Sequence, residues 1–136
     1  MLTTANFVFS QVEIVIQPGS DEGKDAYINT FYSSGNGSTP SFIASAWTYG
    51  GVEGIGRSFI QFDLPVLPEQ CTNFRAELSL YYDYSSQHVG HGGDNICKLE
   101  RVTEEWSEYG IDWYIQPSVT NQNAVYLSAS ATSDQS

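Results

Sequence analysis

Positive charge is what this chain has least of: 5 Lys and Arg stand against 16 Asp and Glu in 136 residues, a formal charge of −11. So acidic a surface repels phosphate backbones and anionic lipid headgroups, so neither nucleic acid nor a membrane surface is an expected partner. No apolar run approaches the roughly 20 residues that a membrane-spanning helix needs, and no membrane insertion is expected. The opening Met1-Leu-Thr-Thr-Ala-Asn6 carries neither the basic region nor the apolar stretch of a signal peptide. No segment sustains a helical period over three turns, which argues against a helical bundle. Cysteine occurs twice, as Cys71 and Cys97, at a spacing unlike any metal knuckle. The pair is either a disulfide formed in an oxidising compartment or two small buried apolar side chains. A Gly-x-Ser-x-Gly elbow is absent, and neither cysteine has a base beside it in sequence. Glu104, Glu105, Glu108 and Asp112 read as a solvated acidic turn rather than as the spaced carboxyl pair of a glycosidase, so no enzyme is expected.

What the chain does have is Tyr, Phe, Ser, Thr and Gly in many short alternating runs, the composition of a secreted β protein. An extracellular or cell-surface location follows as the expectation. The length suits one domain with its own core. Residues 57–64 alternate, with Ile60, Phe62 and Leu64 predicted to face the core and Phe59, Gln61 and Asp63 the other side. Pro65 and Pro68 stop that strand, because neither can donate to a ladder. A second long strand is predicted over residues 75–81, with Ala76, Leu78 and Leu80 inward. Shorter strands are predicted at 7–17, 25–31, 42–49, 96–102, 113–115 and 125–127, and residues 50–56 as a flexible glycine-rich lead into Arg57. Thr103-Glu-Glu-Trp106 has the residues of a short helical turn. These strands, punctuated by Gly and Pro, predict an all-β antiparallel sandwich of jelly-roll type.

Four motifs in order resemble the DNRLRE domain family. They are Gly56-Arg-Ser-Phe-Ile-Gln-Phe-Asp-Leu-Pro-Val-Leu-Pro68, Ala76-Glu-Leu-Ser-Leu-Tyr81, Leu99-Glu-Arg-Val-Thr103 with Trp106, and Ile111-Asp-Trp113 with Gln116-Pro117. The resemblance spans about residues 13–120, and Asp25-Ala-Tyr-Ile28 is similar to the family's opening strand. That family is related to disaggregatase repeats and to a group of carbohydrate-binding modules, some of which bind alginate. It implies a jelly-roll sandwich on a secreted or surface protein and implies no catalysis. The chain departs from the family at both ends: it lacks the strands that usually follow the Gln-Pro motif, and Phe7-Val-Phe9 makes residues 1–11 an apolar extension. The expected organisation is therefore residues 1–11 as a donor strand, 12–127 as a sandwich open at its C-terminal edge, and 128–136 as a polar tail. The main expectation for function is a structural or adhesive module that self-associates into a homo-oligomer or filament, with Phe7, Val8, Phe9 and Val12 of one copy filling the gap in the next.

Carbohydrate binding is the alternative expectation. Trp47 and Tyr49, beside the Gly50-Gly51 loop, are the candidates for stacking on a sugar, whereas Trp106 and Trp113 sit in the family's motif and read as core. With Lys24, Arg57, Arg75, Lys98 and Arg101 as the only cations, a neutral glycan suits the chain better than an anionic one. Asp21, Glu22 and Asp25 are candidate ligands for a structural Ca²⁺, with no other cofactor expected. His88 and His91 read as loop residues without a third ligand. Asn36-Gly-Ser38 is an acceptor sequon for a glycan.

Overall fold

The computed structural model describes residues 12–17, 19, 21–32, 37–39, 42–67, 69, 71, 73–80 and 96–128. They form five strands: β1 (Gly23–Asn29), β2 (Ser45–Tyr49), β3 (Val52–Phe62), β4 (Ile96–Val102) and β5 (Val119–Ser128). All pairing is antiparallel, in one sheet of order β1-β3-β2 and a second made of β4 and β5. The fold is all-β, as the alternating patterns predict. No helix among the described residues is long and apolar enough to cross a membrane.

The β2–β3 hairpin is closed by Gly50 and Gly51 at φ of 56° and 87°, between the paired residues Tyr49 and Val52. A two-residue loop with positive φ at both positions matches the right-handed twist of its strands, and glycine reaches that conformation without a steric penalty. β3 runs further back than the glycine-rich pattern suggests: Gly54 and Gly56 are buried ladder residues rather than a flexible lead. At the far end of β1, Asn29 Oδ1 accepts from the Phe31 and Tyr32 amides at 2.9 and 3.0 Å, a side-chain turn that ends the strand.

The core lies on one face of the first sheet. Ala26 and Ile28 of β1 and Phe59 of β3 pack with Trp106 and Ile111, and Val102 and Trp113 flank them. The inward face of β3 is thus the reverse of the one predicted. Phe59 is buried, while Ile60 and Phe62 are half-buried and Leu64 is 72% exposed. The reason lies in the segment joining β4 to β5, residues 103–118, which lies against this sheet and supplies Trp106 and Ile111 to Phe59. Polar neighbours of Phe59 accommodate that choice: the Arg57 guanidinium lies 4.8 Å over the Trp113 ring and donates to Gln116 Oε1 at 2.9 Å. Lys24 stacks 4.7 Å over Trp106 and donates to its carbonyl. Long cationic side chains can cover apolar surface with their stems, so alternation alone misjudges which face is inside.

The 103–118 segment is pinned at its base. The Thr103 amide and hydroxyl both donate to the Ser118 carbonyl, and Glu104 Oε2 accepts from the Ser118 amide at 3.0 Å. That hydrogen bond holds the Glu104 carboxyl below its ordinary value. A turn at residues 108–110 replaces the helical turn suggested by Thr103-Glu-Glu-Trp106, and the predicted strand at 113–115 is a bend capped by Asp112 Oδ1. β5 is longer than predicted and bulges opposite Glu100, where Asn123 takes φ 62°. Residues 12–17 and 73–80 make no ladder, and Leu78 and Leu80 are exposed. Alternation shows which side chains would share a face; it does not supply the neighbouring strand that makes a ladder.

Candidate functional site

The face of the first sheet opposite the core carries an aromatic ledge. In register, Gly54 and Gly56 of the central strand lie opposite Trp47 and Ser45 of β2, and Gly56 lies opposite Asn29 of β1. Lacking side chains, the two glycines leave a shallow floor across β3, and rings from the flanking chain lie upon it. A Cβ at position 56 would stand 2.6 Å from the Tyr27 hydroxyl and 2.8 Å from Ser45 Oγ, and one at position 54 would collide with the edge of the Phe31 ring. An aromatic side chain resting on a strand glycine restores the packing that the glycine forfeits. Phe31 in turn meets Tyr49 edge to face, with centroids 4.9 Å apart at 82°. Phe31 is 41% exposed and Tyr49 58%, so the ledge faces solvent.

Such a surface offers flat apolar faces edged by hydroxyls, which suits a ligand that has an apolar C–H face and a polar rim. Four of the five cations are engaged away from it. Lys24 and Arg57 are turned to the core-side tryptophans, Arg75 pairs with Glu77, and Lys98 pairs with Glu100. The Glu100 hydrogen bond raises the Lys98 ammonium pKa.

Of the residues singled out by sequence, Tyr49 lies on the ledge. Trp47 is placed by register opposite Gly54, and its side chain is outside those described. The sequence reading missed Tyr27, Phe31 and the glycine floor. The available signal was the period-two pair Gly54 and Gly56 within an alternating run, together with aromatics at Tyr27 and Phe31. Phe7, Val8, Phe9 and Asn36 lie outside the described residues, as do His88 and His91, and Val12 is exposed without a ladder partner. Cys71 and Cys97 are both free thiols, Cys71 exposed and Cys97 half-buried.

Asp21 and Glu22 are exposed, and Glu22 Oε2 accepts from the Gly19 amide at 3.3 Å. Among the described residues no three His, Cys, Asp or Glu side chains gather as a metal site. Asp25 instead neighbours Glu108, whose Oε1 lies 3.4 Å from the Asp25 amide. Burial, and then the Glu108 charge, push the Asp25 carboxyl above its ordinary value. A carboxyl with a raised folded-state pKa favours the native state while protonated and loses that contribution as pH rises through the folded value. Asp25→Asn is therefore expected to raise the thermal midpoint at pH 8 by roughly 2 °C and to leave it unchanged at pH 3, by scanning calorimetry. Asp21→Asn, at an exposed site, serves as the control for net charge.

The profile of carbohydrate-binding module family 96 matches residues 19–134. No curated protein and no solved structure matches the chain.

Proposed function

Since the chain belongs to carbohydrate-binding module family 96, we propose that it is a non-catalytic, extracellular or cell-surface module that holds a neutral glycan on the ledge of Tyr27, Phe31 and Tyr49. The observation that carries this reading is the Phe31 ring laid over Gly54 and met by Tyr49, both open to solvent on the face opposite the core, with half-buried Tyr27 beside them over Gly56. A pyranose stacks its C–H face on such rings and turns its hydroxyls outward. A net charge of −11, with the cations named above engaged elsewhere, disfavours a polyuronate and other anionic chains. The motif likeness to DNRLRE domains fits this membership, and we take it to mark the same group of modules. Retardation in native gels containing xylan, glucomannan or hydroxyethylcellulose tests the reading. At least one of these is expected to slow the wild type, alginate is not, and Tyr49→Ala is expected to abolish the retardation. Equal retardation of the Tyr49→Ala protein would sink it.

The self-association reading keeps one observation in its favour. Among the described residues, the outer edges of β1 and β2 have no ladder partner, and free edges invite a further strand. A solution mass that is unchanged on deleting residues 1–11 would remove it.

A further inference from the structure

The strand that carries Tyr27 also carries Asp25, two residues away on the same sheet face. Beside Asp25, between the outer edge of β1, the 37–39 segment and the Glu108–Tyr109 turn, lies a groove of about 360 Å³. That volume is near the lower end of the range for small-ligand pockets. Its walls are built closely: a Cβ on Gly37 would stand 2.6 Å from Glu108 Cγ and 2.7 Å from the Glu108 carbonyl oxygen, so the 37–39 segment is pressed against the carboxylate-bearing turn. Asp25, Ser38 and Glu108 contribute polar groups to the lining, and the exposed Tyr109 stands at the mouth. Hydroxyl and carboxyl groups together both donate to and accept from alcohols. Lys24, the one cation in the lining, is committed to the Trp106 carbonyl and ring and leaves the groove without a free positive charge.

Resting on the glycan-binding reading above, we propose that this groove is a second subsite for the same neutral glycan, taking the hydroxyls of a sugar several units along the chain from the one stacked on the ledge. The separation supports one chain spanning both. Phe31 lies over Gly54 while Asp25 pairs with Ile60, so six residues of strand rise, about 20 Å, separate the exposed rings from the groove, a length that a hexasaccharide spans and a disaccharide does not. The ledge supplies stacking with little selectivity among sugars. The groove adds directional hydrogen bonds, which reject a sugar whose hydroxyls point elsewhere, because the lining groups would then be left unpaired. Binding is accordingly expected to strengthen with chain length until both places are filled.

Titration calorimetry with cellobiose and cellohexaose, xylobiose and xylohexaose, and mannobiose and mannohexaose tests this. For the sugar that binds, Glu108→Ala is expected to weaken the hexasaccharide about 10-fold and to leave the disaccharide within about 2-fold, while Tyr49→Ala weakens both. Ser38→Ala provides an independent variant on the 37–39 wall with the same expected pattern, should Glu108→Ala lower the thermal midpoint. Wild-type hexasaccharide affinity in both groove variants overturns the second subsite and leaves the ledge standing. An equal loss for disaccharide and hexasaccharide also overturns it. Unchanged binding by Tyr49→Ala overturns the ledge reading instead, and failure of all six sugars to bind the wild type overturns both.

Discussion

Trp106→Ala is expected to unfold the protein or to lower its unfolding free energy by about 3–5 kcal/mol in urea denaturation, the usual range for removing a large buried aromatic side chain. Small domains have only about 5–15 kcal/mol in total, so the loss is a large fraction of the whole. The buried apolar set among the described residues is small, namely Ala26, Ile28, Phe59, Trp106 and Ile111, and Trp106 is its largest member. It is 8% exposed, lies 5.9 Å from Phe59 between ring centroids, and carries Lys24 over its face. Losing the indole therefore empties the contact by which the 103–118 segment holds the first sheet. Trp106→Phe gives a sharper check. The indole Nε1 is buried without a hydrogen-bond partner, so phenylalanine removes an unsatisfied donor while it keeps an aromatic ring against Phe59. Its cost is expected to be about 1–2 kcal/mol, well below that of alanine. Equal losses for the two variants would show that ring packing is not what Trp106 contributes.

Gly54→Val is expected to reduce glycan affinity at least 10-fold and to leave the thermal midpoint within about 3 °C of the wild type. A Cβ at this position collides with the Phe31 ring, and a β-branched side chain cannot rotate out of the way. Phe31 is partly exposed and outside the buried core, so displacing it costs the fold little. Valine also suits a strand better than glycine does, which offsets part of the disturbance. What is lost is the edge-to-face arrangement of Phe31 against Tyr49. Phe31→Ala removes the same surface from the other side, and the double variant is expected to bind no more weakly than either single one, because both act through one ring. Full affinity in Gly54→Val would place the glycan elsewhere on the module.

Much of the backbone organisation was legible from residue order. The alternating run at 96–102 marks β4 to the residue, β1 overlaps its predicted segment with both ends two residues earlier, and β2 falls within its own, starting three residues later. Gly50-Gly51, expected only as the start of a flexible lead, is the hairpin turn, because few other residue pairs adopt two positive φ angles in succession. The strand predicted over residues 75–81 reads well by the same rule and yet makes no ladder at 75–80, since alternation is a property of one segment and pairing of two.

Residue order by itself determined the all-β class, the places where strands stop, the shortage of free cation and hence the disfavouring of anionic partners. Only the tertiary structure decided which side of β3 is inside, because that depends on Trp106 and Ile111 arriving from a segment more than forty positions away in the chain. The same holds for the ledge. Tyr27 and Phe31 come from β1 and the turn that ends it and Tyr49 from β2, and they become one surface because two glycines of the central strand leave room for rings to lie across it. A contact between distant residues depends on register and on the volume that neighbours leave empty, and neither quantity is written in a local pattern.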